Sequence, residues 1–184
     1  GVCHRDLKPE NFLFAAKGPM EGSPLKLIDF GFSVQVAPAA AAAPEAAARR
    51  GPAPGGAPEA GTLLYMSPQM IRGESASRSD DVWSLGVIFY ILLTGRFPFS
   101  TNDDHRFQEL CSRGQLEADV REHVAGLAGS PAARDLAARL LTFDVGERIS
   151  VEAALQHPFL AAAAAAAPGR LAAEEVRERR GRFC

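Results

Sequence analysis

Cysteine is scarce in this 184-residue chain: Cys3, Cys111 and Cys184 lie far apart and form no Cys-x-x-Cys pair. That excludes a disulfide framework, argues against a thiolate metal site and fits a reduced intracellular protein. Long hydrophobic runs are missing as well. The longest mainly apolar stretch, Val82–Leu93, is too short to span a bilayer and fits a buried core helix, so a soluble, cytoplasmic protein with no membrane partner is expected. Charge of one sign is also lacking, since 20 Lys and Arg against 22 Asp and Glu give a net charge of −2. Nothing there gathers nucleic acid. The four histidines fit no zinc spacing, and no Asp-x-Asp-x-Asp-Gly calcium loop occurs. No initiator Met and no charged-then-apolar leader open the chain, so no signal peptide is visible.

Another absence is local. From Ala37 through Gly61 there is no Ser, Thr or Tyr, so phosphorylation inside that stretch is chemically excluded. Ala37–Ala60 consists of Ala, Pro, Gly, Glu and Arg, with no side chain large enough to anchor a core. It is expected to be a disordered insertion, because it buries too little apolar surface to offset ordering entropy. Pro38, Pro44, Pro52, Pro54 and Pro58 interrupt every alanine run that could otherwise become helix.

What is present concentrates at the start. His4-Arg5-Asp6-Leu7-Lys8-Pro9-Glu10-Asn11 brings a carboxylate, two cations and an amide into one short segment, which Pro9 stiffens into a loop. The apolar runs Phe12–Phe14 and Leu25–Ile28, separated by Gly and Pro, read as two strands, and the second delivers Asp29-Phe30-Gly31. Asn11 and Asp29 offer hard oxygen atoms of the kind Mg²⁺ takes beside phosphate oxygens. Asp6 suits a group that orients a hydroxyl and takes its proton, and Lys8 can meet a phosphate as a point charge. Such a set of residues is suited to moving a phosphoryl group.

Those residues carry a resemblance. His4–Asn11 and Asp29–Gly31 match the catalytic-loop and Asp-Phe-Gly motifs of the eukaryotic protein kinases, and Ser67-Pro68-Gln69 is an altered form of a third. Lys8-Pro9-Glu10 resembles the serine/threonine branch. The stretches Val2–Phe14 and Leu140–Leu160 are most similar to the calcium/calmodulin-dependent and calcium-dependent kinases. The resemblance implies the C-terminal lobe of a protein kinase-like fold over residues 1–160, mainly α with a short β-hairpin near the catalytic loop. Residues 161–184 would be an Ala-rich linker and charged tail. In that tail Leu171, Val176 and Phe183 form only a thin apolar stripe, better read as a solvated helix than as a docking one.

The same resemblance implies roles. Asp6 takes the proton of a substrate Ser or Thr, Lys8 neutralises the γ-phosphate of ATP, and Asn11 and Asp29 hold Mg²⁺. Gly31 lets the following segment turn. Thr62, Leu63 and Leu64 belong to a substrate-docking loop in which the Thr62 hydroxyl lies between Asp6 and Lys8. Asp81 anchors the catalytic-loop backbone, and Arg5 pairs with a phosphate or acid on the activation segment. With nothing phosphorylatable in the insertion, Glu59 is the acid expected to dock on Arg5. Protein substrates and ATP are the implied partners, together with a calcium-sensing region outside this chain.

Two departures stand out. Gln69 replaces the family's Glu, whose partner is matched by Arg148, so Arg148 is expected to be poorly compensated. The sequence also holds no Gly-rich loop, strand lysine or helix glutamate for the nucleotide. Two readings follow: a serine/threonine kinase fragment that is inactive without an N-terminal lobe, or a non-catalytic kinase-like interaction module.

Farther along, Asn102, Asp103 or Asp104 can cap a helix through Phe107, Leu110 and Cys111 to Gly114. Ser130-Pro131 starts another, with Leu136, Leu140 and Leu141 on one face. Ser150 opens a last short helix that His157-Pro158 stops.

Overall fold

The computed structural model describes residues 1–16, 23–36, 61–74 and 77–166. Four short strands come first: β1 (Val2–Cys3), β2 (Phe12–Phe14), β3 (Leu25–Leu27) and β4 (Val34–Gln35). Seven helices follow: α1 (Pro68–Ile71), α2 (Arg78–Thr94), α3 (Asp104–Ser112), α4 (Leu116–Ala125), α5 (Pro131–Leu140), α6 (Val151–Leu155) and α7 (Pro158–Ala166). The stretch 37–60, including Glu59, and the tail from 167 lie outside the described residues. No described helix is long and apolar enough to cross a membrane.

Two antiparallel pairs make up the strands. The expected hairpin is β2 with β3, with Phe12 opposite Leu27, Leu13 opposite Lys26 and Phe14 opposite Leu25. A second pair, β1 with β4, joins Val2 to Gln35 and Cys3 to Val34; its two-residue strands give a sequence no period to read.

The helices start where local chemistry dictates. Ser67 caps α1 by accepting from Met70 N, with Pro68 at the first helical position, where its missing N–H costs nothing. Asp103 caps α3 through Arg106 N, and Ser150 caps α6 through Ala153 N. Ser130 occupies the cap position of α5 without a side-chain cap bond; Pro131 alone supplies the start signal there. Helix α2 ends at Gly95, whose φ of 71° places it in the left-handed conformation that glycine adopts most easily.

Three features differ from the sequence reading. Helix α4 was not foreseen, because Gln115 gives no capping bond, although Leu116, Val120 and Val124 recur at helical spacing and are all buried. Helix formation does not stop at Leu160. Pro158 sits in the first turn of α7, and alanines, the best helix formers, carry it to Ala166 across the expected domain boundary. Helix α2 is not buried all round, since Leu92 is 79% exposed and Leu93 41%. Beside it an open groove of about 260 Å³, walled by Val82, Phe89, Leu136, Leu155 and Leu160, lies between α2, α5, α6 and α7.

The main core lies on the other side of α2. Trp83, Val87 and Tyr90 pack with Phe99 and Phe107, with Val120 and Val124 of α4, and with Ala137 and Leu141. Gly86 permits the close crossing of α2 and α5: a Cβ there would lie 2.9 Å from both Leu140 Cβ and Leu141 Cδ2. Burying a side chain such as Phe107 fully contributes about 1.5–3 kcal/mol, so this helical body is the stable frame.

Candidate phosphoryl-transfer site

The segment before β2 is held in place by side chains reaching across the chain. Asp81, in the first turn of α2, accepts from His4 N at 2.7 Å and from Arg5 N at 2.8 Å. Those two bonds fix a loop that makes no regular structure of its own until the 3₁₀ turn Pro9–Asn11. Arg5 takes a φ of 70°, which costs a non-glycine residue of order 1 kcal/mol or more, and the Asp81 clamp is what holds it there. Asp29 is the other described non-glycine residue at positive φ, at 59°. Both lie in the segments expected to do chemistry.

His4 ties the two segments together. Its Nε2 bonds Ile28 O at 3.0 Å, and its Nδ1 accepts from Asp6 N at 3.3 Å. That pattern assigns a neutral ring with the proton on Nε2. Phe30 meets the His4 ring edge-on at 4.8 Å. Ile28 N also donates to Asn11 O at 3.0 Å, extending the hairpin ladder by one rung toward the loop. Asn11 and the residue before Asp29 are therefore direct neighbours.

Within the loop, Asp6 and Asn11 are buried, at 6% and 5% exposure. Asn11 Nδ2 donates to Asp6 O at 2.7 Å and to Asp6 Oδ2 at 3.1 Å. With its amide nitrogen so committed, Asn11 has its side-chain oxygen left for a cation. Lys8 Nζ lies 3.4 Å from Asp6 Oδ2 and donates to Thr62 Oγ1 at 3.1 Å. Thr62 is buried at the start of a 3₁₀ turn, Thr62–Tyr65, whose Leu64 reaches into the helical core. Leu63 packs partly buried against the same core.

Asp29 is exposed, and Gly31 N donates to its Oδ1 at 3.2 Å. A Cβ at Gly31 would sit 3.2 Å from that oxygen, so glycine keeps the space beside the carboxylate open. One amide oxygen and one carboxylate fit a hard cation that takes few protein ligands and completes its shell with phosphate oxygens. Among the described residues no group of three or more His, Cys, Asp or Glu could hold a metal. Arg5 Nε is buried with no hydrogen-bond partner among them.

Cys3, behind the loop, is not a nucleophile. Burial, then the nearby Asp81 and Asp80 charges, push its thiol up to about 12, and its Sγ donates to Ser77 O at 3.0 Å.

The Gln69–Arg148 contact is better compensated than the sequence suggests. Arg148 Nη2 donates to Gln69 Oε1 at 3.0 Å, while Nε reaches Thr142 O at 2.7 Å and Nη1 reaches Ser79 O at 2.8 Å. Its guanidinium lies 5.1 Å from the centre of the Trp83 ring. Gln69 Nε2 donates to Phe143 O at 2.8 Å, a bond no glutamate could make. Burial still brings Arg148 down to about 10, since only Asp80 and Asp144 oppose it from a distance. Carbonyl oxygens replace the missing charge as hydrogen-bond partners but do not neutralise the cation.

Asp80 escaped the sequence reading, although it is 1% exposed and joins three pieces. It accepts from Ser67 Oγ at 2.5 Å and from Ser77 N at 2.8 Å, so α1 is bolted to the start of α2 beside Asp81. The Asp80-Asp81 doublet ahead of an apolar run was the available signal.

Residues 1–160 match the model of the protein kinase domain. The chain belongs to the protein kinase family. Over 160 residues, 87% of this kinase chain, it is 35% identical to calcium/calmodulin-dependent protein kinase type II subunit delta of Oryctolagus cuniculus. Over the same share it is 39% identical to calcium-dependent protein kinase 21 of Oryza sativa subsp. japonica. The matched regions are 27% and 25% of those relatives, so the chain spans about a quarter of their length.

Proposed function

We propose that this kinase chain carries the catalytic half of an ATP-dependent serine/threonine kinase and works only when completed by a nucleotide-binding half. The observation that supports this most is the cluster of buried Asp6, Asn11 and Thr62 with half-buried Lys8, the hairpin bringing the residue before Asp29 against Asn11. In this reading Asp6 orients a substrate hydroxyl and takes its proton as the hydroxyl oxygen bonds to the γ-phosphorus and the bond to ADP breaks. Lys8 offsets charge on the transferred group. Asn11 and Asp29 would hold Mg²⁺, which would supply charge stabilisation to the phosphate oxygens. Thr62, Leu63 and Leu64 would guide the acceptor peptide. Arg5, whose buried Nε has no partner among the described residues, would take an acid of the activation segment, for which Glu59 is our candidate. Both relatives are named for calcium dependence, and a calcium-sensing region outside this chain is part of the proposal.

Positioning supplies up to roughly 7–11 kcal/mol of a barrier reduction, and in this reading the Gly-rich loop and strand lysine that position the nucleotide come from the completing half. The chain with labelled ATP, Mg²⁺ and a serine peptide should therefore give no transfer. Fusion to the nucleotide-binding half of a related kinase should restore transfer, and Asp6→Asn should abolish it. A folded, nucleotide-binding fusion that stays silent would sink the proposal.

A further inference from the structure

Asp103 already caps α3, which leaves the next carboxylate, Asp104, free of that duty. Asp104 Oδ2 instead accepts the Gly61 N–H at 2.9 Å, bridging 43 positions of sequence. Gly61 has a φ of 86°, with nothing within 4 Å of where a Cβ would be, and it opens the turn that contains Thr62. The Thr62 hydroxyl accepts from Lys8 Nζ at 3.1 Å, and Lys8 Nζ lies 3.4 Å from Asp6 Oδ2. At the far end of the turn, Ser84 Oγ donates to Tyr65 O at 2.8 Å. The turn is thus pinned at both ends, by α3 before Thr62 and by α2 after Leu64.

We infer that Asp104 is a positioning residue for phosphoryl transfer, its carboxylate clamping the Gly61 amide so that Thr62 stays seated on Lys8. The inference rests on the kinase reading above and adds a residue that none of the motifs contains. An ionised acceptor suits the task, because bonds to a charged group are shorter and stronger than neutral ones. Asp104 Oδ1 is buried with no partner among the described residues, so the contact to Gly61 is the one side-chain hydrogen bond seen for this carboxylate among them.

The test compares Asp104→Ala with Asp104→Asn, which keeps an acceptor oxygen. In the full chain the alanine change should speed hydrogen exchange across Gly61–Tyr65 by about tenfold, and the asparagine change by less than about threefold. In the enzyme completed by a nucleotide-binding half, alanine should lower kcat for a serine peptide by about ten- to a hundredfold while KM for ATP holds. Asparagine should recover most of that loss. If alanine unfolds the chain, Asp104→Ser, whose hydroxyl falls short of Gly61, takes its place with the same expectation. Unchanged exchange in the alanine or serine variant, or an asparagine variant as impaired as alanine, overturns the inference. A silent wild-type fusion overturns the kinase reading instead and leaves the exchange measurement to decide on Asp104.

Discussion

The strand region before residue 37 and the helical body after residue 61 are built on different terms. In the helices, Trp83, Val87, Phe107 and Leu136 are fully or nearly fully buried, and apolar burial holds the frame. In the strand region, Leu13, Phe14, Leu25 and Phe30 are each about half exposed, and no described strand exceeds three residues. Two-stranded ribbons of that size are marginal alone in water. The proposed catalytic groups sit on the weaker region, tied there by the hydrogen bonds of Asp81, His4 and Lys8. Chemistry and stability are thereby separated, and mutations should separate them too.

The largest effect should come from the helical side. Trp83→Ala removes the ring packed edge-on to Phe143 and beneath Arg148, and should cost about 3–5 kcal/mol, melting helices and catalytic loop together in circular dichroism and exchange alike. Loss of only the loop signals would show the two regions to be less linked than described. Next comes the tether. Asp81→Asn turns one of two acceptor oxygens into a donor facing an N–H, so exchange from His4 to Asn11 should quicken about tenfold or more while the helical melt moves by about 2 kcal/mol at most.

A smaller contrast lies at Gln69. Gln69→Ala should cost about 1–3 kcal/mol by leaving Arg148 and Phe143 O short of partners. Gln69→Glu should change stability by less than about 1 kcal/mol at pH 7, because the new ion pair is offset by a carboxylate facing the Phe143 carbonyl. A large gain from glutamate in a chemical melt would show that the carbonyl contacts do not compensate Arg148.

The smallest effect is a pH dependence. The folded Cys3 thiol titrates at about 12 against an ordinary value near 9. Above pH 9 the unfolded chain therefore gives up a proton that the folded chain keeps, and stability falls as pH rises through that window. Arg148, lowered to about 10, acts in the opposite sense above that pH. Cys3→Ala should flatten the fall between pH 9 and 10, and an unchanged slope would remove Cys3 as its source.

How much the sequence revealed follows from where partners lie. The proposed catalytic loop was legible because Arg5, Asp6, Lys8 and Asn11 fall in one short segment and are chemically unusual together. The hairpin was legible from two apolar runs and the breakers between them. The carbonyl partners of Arg148 were not, since Thr142, Ser79 and Phe143 contribute backbone oxygens that any residue could supply. Asp80 and Asp104 stayed hidden for a related reason: Ser67 and Gly61, which they hold, are remote in sequence and carry no complementary charge. The exposed Leu92 was misjudged because an apolar run states that a face wants covering, not that anything covers it.

The amide at position 69 has one more effect. A carboxylate there would gather a proton in acid and slacken its hold on the arginine just as the surroundings turned hostile. Gln69 has no proton to gain, so the joint between α1 and the segment before α6 keeps the same grip from acid through neutral solution.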